Sequence, residues 1–218
     1  MRTRVAAVTG VLVLTAWAVS AQERLQTTPE SPQAKPRHAA MAQGGDKSDA
    51  ALIAKAVSAA PPEIGQNATV MAAGANGQMQ QVRVGTNGWV CMLNLVGDPM
   101  CFDKEWQAWG EAWMSKQDPP QPKAVGVAYM LRGDKGASNT DPYATKPTPD
   151  NQWVVTGPHI MLLATDRSQL DALPTDPHTG GPWVMWKGTK YAHIMVPVAA
   201  MPKAGAHAKS ASKASTTR

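Results

Sequence analysis

Three patterns of apolar and polar positions alternate along the chain. Positions 5–19 form one apolar stretch diluted by small residues, behind Arg2 and Arg4 and ahead of Ser20 and Ala21. Positions 22–47 and 203–218 carry no apolar periodicity and are rich in Ala, Gln, Pro, Ser, Thr and Lys. Between them, from 48 to 202, apolar residues recur with the periods of strands and helices. The first stretch, with compact residues at Val19 and Ala21, predicts a secretory leader cleaved after Ala21. It falls short of the ~20 residues a membrane span requires, and no Cys follows the cleavage point to carry a lipid anchor. The expected organisation is a leader at 1–21, a disordered spacer at 22–47, one globular domain at 48–202 and a disordered basic tail at 203–218.

Within the domain, Ser48 is placed to cap a helix bearing Leu52, Ala56 and Val57, which Pro61 and Pro62 end. Three short strand-like runs follow at 69–72, 79–84 and 89–93. Asn76-Gly77 and Asn87-Gly88 separate them, and such pairs are strong hairpin signals, so a three-stranded antiparallel meander is predicted. Asp103 is placed to cap a second helix, on which Trp106, Trp109 and Trp113 are spaced three and four apart and share a face. A proline-rich break at 119–122 leads to a strand at 125–131 and then a polar loop at 132–152. Strands are predicted at 153–155, 159–163, 183–186 and 191–196, with a short helix at 166–173 and a tight loop at 187–190. The fold class is α+β: a mainly antiparallel sheet with two or three helices packed on it.

Charge changes the picture once it is located. The whole chain carries 21 Lys and Arg against 16 Asp and Glu, a net +5. Arg2 and Arg4 leave with the leader, and Lys203, Lys209, Lys213 and Arg218 sit in a tail without acids. The folded part is close to neutral, which argues against a nucleic-acid-binding face. The tail is suited to touching anionic envelope surfaces. The two cysteines, Cys91 and Cys101, would be exported together into an oxidising compartment and are expected to form a disulfide. By chain entropy, closing that loop adds on the order of 2.5–3 kcal/mol.

Four motifs carry a resemblance: Gly85-Thr86-Asn87-Gly88-Trp89-Val90-Cys91, Asp98-Pro99-Met100-Cys101, Gly157-Pro158-His159-Ile160-Met161, and the run from Gly181 through Trp183, Met185, Trp186, Tyr191 and His193 to Val198. Together they resemble an uncharacterised family of exported bacterial proteins over roughly the whole domain. The resemblance implies export and a shared fold, and brings no activity, ligand or catalytic residue.

The sharpest chemical feature is the repeated tripeptide His159-Ile160-Met161 and His193-Ile194-Met195. In a strand, each unit puts an imidazole and a thioether on one side. If the two strands pair, His159, Met161, His193 and Met195 form a soft ligand set suited to copper, with Met185 and Met100 as further soft groups. The simpler expectation is that Ile and Met fill a core while each His makes an ordinary hydrogen bond. A blue-copper centre is disfavoured, since a disulfide consumes both cysteines, and without a Cys-x-x-Cys-His motif covalent haem is not indicated either. Asp134, Ser138, Asn139 and Asp141 offer oxygens for calcium, though turn formation explains them better. Asp98 and Asp103 could make a carboxylate pair. No nucleophile elbow, phosphate loop or zincin motif occurs. An enzyme here would be built around His159 and His193 with Asp134 or Asp141. The tryptophan stripe is expected in the core, an exposed row being the mark of a glycan or peptide site.

Overall fold

The computed structural model describes residues 47–74 and 76–200. The predicted leader, most of the spacer and the basic tail lie outside the described residues. The chain forms α1 (Lys47–Val57), α2 (Pro62–Gly65), β1 (Thr69–Ala73), β2 (Met79–Arg83), β3 (Val90–Leu93), β4 (Pro99–Phe102) and α3 (Lys104–Met114). It continues with β5 (Gly126–Met130), β6 (Ala137–Ser138), β7 (Trp153–Val154), β8 (His159–Leu163), β9 (Trp183–Met185) and β10 (His193–Pro197). Two 3-10 turns, Arg167–Leu170 and Pro177–Thr179, lie between β8 and β9. Eight strands make one sheet in the order β2-β1-β3-β4-β5-β8-β10-β9, and β6 pairs with β7 separately. All pairings but β1–β3 are antiparallel, so the α+β class holds.

α1 and α3 cover opposite sides of the sheet. α1 packs on β3 and β4, where Ala56 and Ala59 meet Val70, Cys91 and Cys101 in one buried cluster. α3 lies over β5, and Trp106 and Trp109 are buried against Ala128, Met130, Met161, Leu163 and Met195. Strand alternation explains the division. Met100, Phe102, Ala128 and Met130 face α3, whereas Cys101 and Tyr129, opposite one another, face the side of α1. Asp103 fixes α3 in place: Oδ1 accepts the Trp106 N–H at 3.0 Å and Oδ2 accepts the Val127 N–H at 2.7 Å. One carboxylate thus caps the helix and bolts it to β5.

Three sequence expectations need correcting. The predicted meander does not form: β2 is the edge strand, and β3 lies on the other side of β1, parallel to it. The Asn76-Gly77 hairpin is present, but Asn87-Gly88 instead steers the chain around the end of β1. A Cβ on Gly85 would lie 2.1 Å from the Thr69 nitrogen, so the crossing backbones touch there. Thr86 N–H and the Asn87 amide bond the carbonyls of Asn67 and Ile64 at 2.8 and 2.9 Å, holding the crossover. Second, Cys101 lies inside a strand, β4, that the sequence reading omitted. Cys91 and Cys101 are direct cross-strand partners and are disulfide-bonded, with their Cα atoms 4.0 Å apart. Third, Pro62 does not simply end a helix but starts α2, a position where its missing N–H costs nothing.

The indole stripe is core at two positions and half-buried at the third, Trp113. Trp109→Ala is expected to cost about 3–5 kcal/mol, as loss of a buried aromatic does, and Trp113→Ala clearly less. Urea unfolding of the disulfide-intact variants measures both, and equal losses would contradict the burial order.

Candidate functional site

β8 and β10 are neighbours, with Met161 opposite Met195 and His159 opposite Pro197. Paired residues share a face, as do residues two apart along a strand. His159, Met161, His193 and Met195 therefore occupy one face, and all four are buried. The two methionines are direct neighbours. The two histidines are not: each lies two positions beyond the Met pair, in opposite directions, so their Cα atoms are about 13 Å apart along the strands. His159 still adds a small downward push to the burial-lowered pKa of His193.

Each ring is also tied to the chain leading into its own strand. His159 Nδ1–H donates to Gly157 O at 2.7 Å and His193 Nδ1–H to Tyr191 O at 3.0 Å. A carbonyl only accepts, so Nδ1 carries the proton in both rings and Nε2 presents a lone pair. Burial strips water from both imidazoles and lowers each pKa to about 4, against the opposing pull of these bonds. Both rings are neutral at pH 7.

Their surroundings differ. His193 stands edge-on within a cage of Trp186, Trp106 and Trp109, with ring centroids 4.9, 5.3 and 5.7 Å away. His159 lies between Met130 of β5 and Pro197 of β10. Met130 of β5 is its direct cross-strand partner, and Met161 follows two positions along its own strand. The register of β4 on β5 sets Met100 beside Met130, and Met92 lies opposite Met100. A line of methionines thus crosses three strands and ends on an imidazole. Within the described residues, His159 Nε2 is fully buried with no hydrogen-bond partner, an arrangement that costs about 1–3 kcal/mol when nothing engages the lone pair.

A half-buried carboxylate lies at the same end of the sheet. Asp134 Oδ1 accepts the N–H groups of Thr156 and Gly136 at 2.8 and 2.9 Å. Burial raises its pKa to about 6 against those bonds, with a smaller push from nearby Asp98. Asp141 is exposed, and its Oδ1 accepts the Tyr143 N–H at 2.9 Å. The other loop oxygens considered for calcium have structural partners: Ser138 Oγ donates to Asn151 O at 2.7 Å, and Asn139 Oδ1 accepts the Trp183 indole N–H at 3.2 Å. Asp98 and Asp103 flank β4 at its two ends and form no pair, each accepting backbone N–H bonds of its own. Among the described residues, no group of three or more His, Cys, Asp or Glu is placed to hold a metal ion. A metal site on this face has to draw on thioethers. Met130, which the sequence reading missed, becomes visible only through the β5–β8 register, a pairing with no local signal.

Comparison with models of known families, with curated proteins and with solved structures finds no match.

The buried groups set an acid response. An unfolded His binds a proton near pH 6.5, whereas His159 and His193 resist protonation down to about 4. Between those values the unfolded chain holds more protons. The stability these rings contribute is complete above pH 6.5 and lost as pH falls toward 4, on the order of 3 kcal/mol per ring. Asp134 acts in the opposite sense. Its folded carboxyl protonates at about 6 and its unfolded one near 3.8, so acidification through that window relieves a penalty. Asp134→Asn retains an acceptor oxygen. It is expected to raise stability at pH 7.5 and to steepen the loss between pH 6.5 and 4. Urea midpoints across that range check this, and curves that stay parallel to wild type contradict it.

Proposed function

We propose that this is an exported binding protein, not an enzyme, and that its ligand is a single cuprous ion held by His159 Nε2 with the thioethers of Met130 and Met161, Met195 lying beside them. The observation that carries the reading is the buried, unpartnered Nε2 of His159 at the end of the methionine line. Its Nδ1–H bond to Gly157 O is the outer bond that ligating histidines use to fix ring and tautomer. Its low pKa removes competition from protons at neutral pH. Neutral nitrogen and thioether donors suit a soft monovalent cation and leave zinc, calcium and magnesium without the thiolate or oxygen ligands they favour. A catalytic role has less support, since both imidazoles are shut away from any substrate. His193 differs from the set read in the sequence. Met185 lies across from it on β9, but three indoles enclose the ring and its Nε2 is not a buried atom without a partner, and we assign it to the core.

Cu(I) titration against a chromophoric chelator tests this, with ascorbate as reductant so that the disulfide survives. One equivalent is expected to be withheld from the chelator. His159→Ala, Met130→Leu and Met161→Leu should each weaken retention at least about tenfold, the lower range for disturbing a metal's surroundings. His178→Ala should leave it unchanged. The Met→Leu changes preserve volume, so they separate ligation from folding. Failure to retain copper, or retention indifferent to Met130→Leu, contradicts the proposal.

A further inference from the structure

The opposite end of β8 from His159 opens onto a groove of about 790 Å³, within the range of small-molecule sites. Leu163, Ala192 and the indole of Trp109 line its floor. Three segments outside the sheet make its walls: the proline-rich run 118–122, the 3-10 turn with its flanks at 164–171, and the loop 187–190. The walls are braced to one another. Gln121 Nε2 donates to Thr165 O, joining the first to the second. Lys190 Nζ reaches Lys116 O at 3.0 Å and Asp118 at 2.8 Å, joining the third to the first. Lys187 Nζ donates to Leu170 O at 3.1 Å, and Arg167 donates to the carbonyls of Lys190 and Thr189 at 3.0 and 2.8 Å, joining the second to the third. The concavity is therefore preformed, which reduces the ordering cost of binding.

The loop 187–190 is aimed by backbone strain. Trp186 has φ 56°, a left-handed conformation that costs a bulky residue on the order of 1–3 kcal/mol. Its indole is held between Trp109 and Trp113, stacked at 6.0 and 6.4 Å, and its Nε1–H donates to Ser138 O at 2.7 Å. The charges on the walls are unequal. Lys187 pairs with Asp171 and Lys190 with Asp118, at 3.7 and 2.8 Å. Arg167 has no ion-pair partner among the described residues. Two of its nitrogens are committed to carbonyls, which orients the planar fork while leaving further N–H groups to donate.

We infer that this groove binds a small organic anion, its apolar body against Trp109, Leu163 and the prolines and its carboxylate or phosphate on the Arg167 guanidinium. The site is independent of the copper proposal, and neither needs the other.

The probe is 8-anilinonaphthalene-1-sulfonate, an apolar body with one anionic head, added to the disulfide-intact protein at pH 7. Fluorescence enhancement and energy transfer from tryptophan are expected. The uncharged congener N-phenyl-1-naphthylamine should bind at least about tenfold more weakly, and Arg167→Gln should weaken the sulfonate probe by a similar factor. Because Arg167 also braces the loop, Ser168→Trp provides a second variant that fills the groove without altering charge, and it should abolish binding at unchanged melting temperature. Displacement by benzoate identifies a carboxylate ligand, and displacement by phenyl phosphate identifies a phosphorylated one. Equal affinity for the uncharged congener, binding unchanged in both variants, or displacement by neither competitor overturns the inference.

Discussion

Trp109 is held at once by Trp106 at 4.8 Å, by Tyr191 and His193 at 5.7 Å, and by Trp186 at 6.0 Å. Among the described residues, no other side chain joins the helix, the last two strands and the groove. Its position depends on Asp103, which fixes both the first turn of α3 and the height of that helix over β5. With the helix so placed, the indole closes the sheet face over Met161 and Met195, forms one side of the His193 cage and supplies the floor of the groove. It also supports the strained Trp186. Two stacked aromatic pairs at about 0.5–1.5 kcal/mol each, with one indole hydrogen bond, suffice to hold a left-handed residue costing a similar amount. The stack continues outward through Trp113 to Tyr143, whose rings are 5.9 Å apart, so the polar loop after β5 is packed against the same column.

Much of this was legible where the signal is local. Asp103 followed by tryptophans three and four apart announces a capped amphipathic helix, and it forms with Trp106 and Trp109 inward. Short apolar runs at His159–Leu163 and His193–Pro197 announce strands, and burial alternates along both as far as Pro197. The disulfide was readable from the count of cysteines and their separation. What escaped is contact between distant segments. The Asn87-Gly88 pair is a good turn signal, but the chain it turns is committed by Gly85 touching Thr69, and nothing near residue 87 encodes that approach. β4 is short, begins with a proline and runs straight into the cap of α3, so neither length nor alternation marks it.

The candidate site shows the same limit more sharply. Two identical tripeptides in paired antiparallel strands have the same local geometry, even to the Nδ1 bond reaching back two residues. Sequence alone therefore treats them as equivalent, and a symmetric four-ligand set is the natural expectation. Antiparallel pairing keeps part of that equivalence, since Met130 lies across from His159 and Met185 across from His193, and the surrounding indoles break it. The pairing brings the methionines together and sends the histidines to opposite ends, where different strands and a different layer await them. His193 ends beside Met185 of β9 and under α3, enclosed by indoles. His159 ends beside β5, at the close of a line of methionines.

Both rings are stripped of water to the same degree and both lose their charge, so desolvation does not distinguish them. The distinction lies at Nε2. An imidazole surrounded by aromatic faces is held by quadrupole contacts that need no further partner. One flanked by thioethers without such a cage, its Nε2 buried and unpartnered as in His159, has neighbours that accept weakly and donate nothing, so its lone pair gains from an electrophile. A soft cation is the electrophile for which such neighbours are also ligands. The orphaned nitrogen and the methionines are then parts of a single arrangement.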